Sequence, residues 1–125
     1  MGRIYKELLI LGDKGYAKVK ALFDTGADES IIRSDIANKV ATVVDINAFM
    51  PKLQTANGKI LDENKLTTIA VELDEGCNIG ESFRVFDNLN EEMIIGHNIM
   101  QKRDIVLDMS NDTIDTKNCR VNLRL

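Results

Sequence analysis

The sequence predicts a mainly β domain with two short helices, and three observations carry that prediction. Short apolar runs recur along the chain, several of them alternating with polar residues at the period of a strand. Clusters rich in Gly, Asn and Asp fall between the runs and read as turns. The length of 125 residues fits one domain, 1–125, and leaves little room for a second. A hydrophobic fraction of 44% beside a charged fraction of 29% is enough to build a core, so disorder is not indicated.

Taken in order, residues 4–11 and 16–23 form two strand candidates around Gly12-Asp13-Lys14-Gly15, a hairpin signal. In the second, Val19, Ala21 and Phe23 alternate with Lys18 and Lys20, so one face is buried. After Asp24-Thr25-Gly26 comes the apolar pair Ile31-Ile32. Ser34 is placed to cap a helix reaching about Val40, with Asp35 favourable in its first turn. The signal from 43 to 50 is mixed, and Pro51 limits any helix there.

Residues 52–61 contain Asn57-Gly58, a strong hairpin dipeptide. Few large apolar residues flank that tip (Gln54, Thr55, Ala56), so the hairpin is expected to project from the body. Residues 66–73 and 79–86 are strands separated by Asp74-Glu75-Gly76. A polar, acidic loop over 87–92 leads into a short buried strand, Met93-Ile94-Ile95-Gly96, and residues 98–103 suit the second helix. Residues 105–109 turn through Ser110-Asn111-Asp112 into a strand over 113–115, and Val121, Leu123 and Leu125 alternate as a last strand. No internal repeat, linker or low-complexity segment occurs.

Charge and cysteine usage narrow the function classes. The net charge is −4, with Lys and Arg scattered; the basic stripe that a nucleic-acid binder carries is not visible. Cys77 and Cys119 sit in no metal-ligand spacing, and the N-terminus shows no secretory signal. Two free thiols in a reducing, cytoplasmic setting are therefore expected. Position 6 is Lys rather than the Ser or Thr of a myristoylation signal, and no apolar run reaches membrane-spanning length, so no membrane partner is expected. His97 is the only histidine, which leaves no metal site, cofactor or Ser-His-Asp arrangement to suggest.

Asp24-Thr25-Gly26 is the most informative tripeptide. By itself it is weak, because all three residues favour turns and a given tripeptide arises by chance in roughly two or three per cent of chains this long. Its context adds weight: an apolar strand delivers the Asp to a loop and another apolar strand follows, which sets the carboxylate against a buried floor.

The stretch Ala21-Leu22-Phe23-Asp24-Thr25-Gly26-Ala27-Asp28-Glu29-Ser30-Ile31-Ile32 resembles the active-site segment of retroviral aspartic proteases. The Asn57-Gly58 hairpin lies where that family has its flap. Met93-Ile94-Ile95-Gly96-His97-Asn98-Ile99-Met100 resembles its hydrophobic-hydrophobic-Gly segment leading into a helix. Three matches in order are far more specific than one, and they span roughly residues 4–108. The resemblance implies a retropepsin-like closed β-barrel with one or two short helices, active as a two-fold homodimer on a peptide or protein substrate.

The chemistry of that family accounts for the residue types. Hydrolysing an amide without a metal or covalent nucleophile requires one group to deprotonate water and another to protonate the amide. Two carboxylates sharing one proton do both. The chain holds one Asp-Thr-Gly and no Asp-Ser-Gly, so the second carboxylate must come from another copy, Asp24 beside its symmetry mate.

By the resemblance, Thr25 bonds across the dimer and Gly26 lets the backbone approach the dyad. Ala27 brings no hydroxyl to the carboxylates, which implies a less acidic optimum than pepsin's. Ala56, Asn57 and Gly58 would close over substrate, donating backbone N–H groups. Leu22, Ile31 and Ile94 match pocket-lining positions, although by pattern alone each reads as core. Asp28 and Glu29 either contact substrate backbone or decorate a turn. Glu92 stands where the viral enzymes tend to place an apolar pocket residue. It would favour a basic or polar substrate side chain, or else be a solvated loop acid, which is the plainer expectation.

His97 replaces the Arg that the viral enzymes pair with the acid matching Asp28. A His–Asp28 contact would make dimer stability depend on pH; a structural His bonding a loop carbonyl is the equal alternative. The tail after residue 108 departs from the family, so the dimer interface is expected to be built differently. A catalytically silent dimer binding peptide in the same cleft is the alternative function. A purely structural β-domain with a coincidental Asp-Thr-Gly is a third, disfavoured by the ordered matches.

Overall fold

A computed structural model describes residues 2–47, 53–54, 56–58, 60–61 and 64–119. Strands β1 (Arg3–Leu11) and β2 (Tyr16–Asp24) pair antiparallel over their whole length, Leu11 opposite Tyr16 at the turn and Arg3 opposite Asp24 at the far end. β3 (Ile31–Arg33) runs directly into α1 (Ser34–Val40), and β4 (Val44–Asp45) follows. β5 (Leu53–Gln54) and β6 (Ile60–Leu61) make a separate two-stranded hairpin. β7 (Lys65–Asp74) and β8 (Cys77–Phe86) form a long antiparallel pair around Gly76, whose φ of +80° suits a glycine turn. Then come β9 (Met93–Ile95), α2 (His97–Lys102) and a second small hairpin, β10 (Val106–Asp108) with β11 (Thr113–Asp115).

Six strands close into a barrel in the order β1-β2-β9-β3-β8-β7, with β7 returning to β1 through Leu9 opposite Glu72 and Leu11 opposite Ala70. β4 adds to β7 outside the ring. Closure leaves none of the six with two open edges, which protects a small β domain from edge pairing. The pairings β2–β9 and β3–β8 are parallel, and the rest are antiparallel.

Alternation fills the barrel. Leu8 and Ile10, then Val19, Ala21 and Phe23, then Ile69, Val71 and Leu73 all face one cluster with Ile32, Phe83, Val85, Met93 and Ile95. Phe23 and Phe83 are fully buried, each contributing about 1.5–3 kcal/mol relative to exposure. The expected burial of Val19, Ala21 and Phe23 over Lys18 and Lys20 is what the fold contains. Glu81 falls on the same alternation yet is charged. Its buried carboxylate accepts from Lys102 Nζ at 2.6 Å and lies 3.6 Å from Arg103 Nη2, joining β8 to the end of α2.

Several expectations are corrected. Ser34 does not cap α1; Arg33 occupies the cap position with no side-chain cap bond, because β3 continues into the helix and Ser34 already takes its first turn. Asp35 does stand in the first turn, as expected, and it also pairs with Arg33, Nε to Oδ1 2.8 Å, a hydrogen bond that holds its carboxyl below the usual aspartate value. α2 begins one residue earlier than expected, at His97, on a Gly96 cap. The mixed stretch after 43 does supply a strand, β4. Residues 55–59 join β5 to β6, a longer connection than a two-residue turn, and Gly58 there has a φ of +89°. The last strand expected over 121–125 lies outside the described residues.

The cysteines are not free. Cys77 and Cys119 form a disulfide, 42 residues apart, with Cys77 buried in the core cluster and Cys119 packed against it. Sequence spacing gave no sign of this, since β8 and the segment after β11 meet only in the fold. No helix among the described residues is long and apolar enough to cross a membrane.

Gly96 fixes where the barrel meets the loop after β2. A Cβ there would lie 2.5 Å from the Glu29 carbonyl oxygen and 2.6 Å from that of Ala27, both backbone atoms that cannot swing away. Gly96→Ala is therefore expected to destabilise the fold by about 1–3 kcal/mol or more in urea titrations, with lost protection in the 27–30 loop. Replacing both Cys77 and Cys119 with Ser should cost about 2–4 kcal/mol in the same measurement, from the loop entropy returned to the unfolded chain. An unchanged midpoint would place the bridge outside the folding unit.

Candidate active site

Asp24 is the last residue of β2, and the turn that follows aims its side chain. The Gly26 N–H donates to Asp24 Oδ1 at 2.9 Å, and the Ala27 N–H to the Asp24 carbonyl at 3.1 Å. Arg3, its partner on β1, brings Nε to 4.0 Å from Oδ2. The Asp24 side chain keeps about a fifth of its surface open, 21%. One oxygen is therefore fixed by a backbone donor and the other faces Arg3 at longer range, while the side chain as a whole stays partly exposed.

Thr25 is engaged within the chain. Its N–H donates to the Gly2 carbonyl at 3.1 Å, and the Gly2 N–H donates to Thr25 Oγ1 at 2.9 Å. The chain start thus extends the β1–β2 ladder past Asp24 and holds the hydroxyl that the family resemblance assigns to a cross-dimer bond.

The loop from Asp24 to Ser30 is braced from below. The Ser30 hydroxyl donates to Asn98 Oδ1 at 2.8 Å and accepts from the Gly96 N–H at 2.9 Å. The His97 N–H donates to the Ala27 carbonyl at 2.7 Å, and the Arg84 N–H to the Ser30 carbonyl at 3.0 Å. Ser30 is 2% exposed, so both of its partners count: a buried hydroxyl left unpaired would cost about 1–3 kcal/mol.

His97 makes no contact with Asp28 among the described residues; both side chains are exposed, and only the His97 backbone reaches the loop. The arginine that holds an acid of this loop is Arg84. Its Nε donates to Glu29 Oε2 at 3.0 Å and its Nη1 to Asn64 Oδ1 at 2.8 Å. The expected His97–Asp28 contact is absent, and the ion pair on this loop runs from Arg84 to Glu29 instead.

Register gathers the apolar candidates. Leu22 lies opposite Ile94 and Ile94 opposite Ile31, so the three sit side by side across β2, β9 and β3. The row extends to Tyr5 on one flank and to Arg84 and Leu66 on the other. This face points away from the barrel core. Leu22 is buried yet outside the core cluster, whereas Ile31 and Ile94 are half-buried and present surface beside the Asp24 loop. The Tyr5 hydroxyl donates to Glu91 at 2.7 Å, a bond that raises the phenol above its ordinary value.

Glu92 is not a solvated loop acid. It is half-buried, and its Oε1 accepts from the Lys20 N–H at 2.6 Å, continuing the β2–β9 ladder by one side-chain rung. Asp28 is exposed on the loop. Ala56, Asn57 and Gly58 are exposed at the tip of the β5–β6 hairpin, with Gln54 Nε2 donating to the Gly58 carbonyl at 3.2 Å. Sequence reasoning missed Arg84 and Asn64. The available signal was a charged residue between Phe83 and Val85 at the apolar end of β8, but alternation explains such a residue as solvent-facing.

A polar groove elsewhere, beside the disulfide, collects Asp74, Glu75, Asp108 and Asp115 and includes none of the residues chosen from sequence. No group of three or more His, Cys, Asp or Glu able to hold a metal occurs among the described residues.

Comparison with known proteins agrees with this geometry. A family model described as gag-polyprotein putative aspartyl protease matches residues 14–102, which include Asp24 and Gly96. None of the curated proteins matches the chain. The crystal structure of the retroviral protease-like domain of Ddi1 from Leishmania major aligns with a TM-score of 0.64 at 18% identity, covering 94% of this chain and 90% of that one. EIAV protease, complexed with the inhibitor HBY-793, aligns with a TM-score of 0.60 at 22% identity, covering 81% and 88%. Identities this low speak to the fold, and the fold is the retroviral protease-like barrel. With its family model spanning the Asp-Thr-Gly turn and the glycine that packs beneath it, the chain belongs to the retropepsin-like, gag-type aspartyl protease family.

Proposed function

We propose that the protein is an aspartic endopeptidase working as a two-fold homodimer, with Asp24 of each copy forming a dyad that activates water against extended peptides. The observation that carries the reading is the setting of Asp24: one oxygen held by the Gly26 N–H, the side chain still partly exposed, at the end of a strand whose neighbours are braced on a buried floor. A single chain offers one such carboxylate, and peptide hydrolysis needs a base and an acid together. Two copies meeting at the Asp24 turns supply both, and the close carboxylates share one proton.

In the reaction, the charged partner takes a proton from water as the oxygen attacks the peptide carbonyl. The protonated partner hydrogen-bonds the carbonyl oxygen, and collapse delivers a proton to the leaving amine. Ile31 and Ile94 present an apolar wall to substrate side chains, and the hairpin tip at Ala56, Asn57 and Gly58 closes over the peptide backbone. Glu92 is tied to β2, so it shapes that wall through position rather than as a free charge.

One observation favours a silent peptide-binding dimer instead. Within one chain Gly2 occupies the Thr25 hydroxyl and Arg3 approaches Asp24, so both groups are already engaged. Cleavage of a mixed peptide library separates the readings. The native protein should cut, with activity per chain falling on dilution as the dimer dissociates, and Asp24→Asn should lose at least about a hundredfold. Cleavage that survives the substitution removes the mechanism; binding without cleavage selects the silent module. Ala27→Ser, by adding a donor to the charged dyad, should move the acidic limb of the pH–rate profile to lower pH, and an unmoved limb would mean the hydroxyl does not reach the carboxylates.

A further inference from the structure

Arg84 is 4% exposed on β8, between two core residues, and its guanidinium lies on the opposite face from them. A buried charge is retained only with partners, and its two partners belong to different parts of the chain. Nε binds the Glu29 carboxylate, five residues beyond Asp24, and the Arg84 backbone N–H binds the Ser30 carbonyl. Nη1 binds the Asn64 side chain. Asn64 in turn closes the root of the segment that carries the β5–β6 hairpin: its N–H donates to Asn47 Oδ1 at 2.8 Å, and the Ile46 N–H donates to the Asn64 carbonyl at 2.8 Å.

We propose that Arg84 is a positioning residue that sets the root of the β5–β6 hairpin against the Asp24 loop, so that the hairpin tip and the catalytic carboxylate share one frame. The inference rests on the peptidase reading above. A planar guanidinium with donors in fixed directions suits this task, since it holds a carboxylate and an amide at a set angle from one rigid group. A lysine offers a point charge, able to pair with Glu29 but not to fix both acceptors. Glu29 is half-exposed at 43%, so water can take its free lone pairs if the arginine is removed. Asn64 is buried at 1% exposure, so water reaches its side chain far less readily.

The test compares native protein, Arg84→Lys and Arg84→Met in peptide cleavage, with thermal melts alongside. Arg84→Lys should stay folded and melt above Arg84→Met, because the Glu29 pair survives, yet show KM raised by about tenfold or more as the hairpin loses its setting. Arg84→Met should match that KM and melt lower. A merely structural role would lower the folded fraction, and so the apparent kcat, at constant KM. Native KM in a folded Arg84→Lys variant overturns the proposal.

If the native chain cleaves nothing, the peptidase reading fails by itself, and amide exchange decides the coupling. Faster exchange at Ile46 and Asn64 in Arg84→Lys, with β1, β2 and β9 unchanged, supports it. Native protection at both amides overturns it.

Discussion

Where Gly96 passes beneath the loop that follows Asp24, two carbonyl oxygens come closer than any side chain would allow. That approach lets the Gly96 N–H reach the Ser30 hydroxyl and the His97 N–H reach the Ala27 carbonyl. The loop is thereby fastened to β9 and α2 by short hydrogen bonds from a buried strand end. Without it the turn at Asp24-Thr25-Gly26 would be an ordinary surface turn, free to reorient its carboxylate. Most of the candidate site inherits its position from this one packing event.

Charge reinforces the arrangement in a particular order. Arg84 and Ser30 are buried, so their partners are required rather than optional. Asp24 and Asp28 lie nearer solvent, and the Asp24 carboxylate is held by one backbone donor, with Arg3 beyond its other oxygen. The buried groups beneath the loop are thus paired, and its more exposed acids lie above them. The ion pair on this loop likewise comes from Arg84 on β8, while His97 contributes its backbone N–H.

Closure of the barrel decides which residues share its outer face. Core residues fill the interior by alternation, which forces Leu22, Ile94, Ile31 and Arg84 together into a row on the other face. The row is mostly apolar but interrupted by the guanidinium beside Ile31. It lies next to the Asp24 loop because β2, β9 and β3 are neighbours, although they are distant in sequence.

Much of this was legible in the residues themselves. Alternation at Val19, Ala21 and Phe23, glycine-bearing turns and short apolar runs are local signals, and they determined the strands, both helices and the Asp24 turn between two buried flanks. Family likeness in three ordered segments determined the barrel type. Partnerships between distant side chains were decided only by tertiary structure: Cys77 with Cys119, Arg84 with Glu29 and Asn64, and Glu92 with the Lys20 amide. Each such pair joins a strand to a loop whose place depends on how the whole sheet closes. A period of two records which face a residue occupies, and it carries no information about which distant residue lies beside it there.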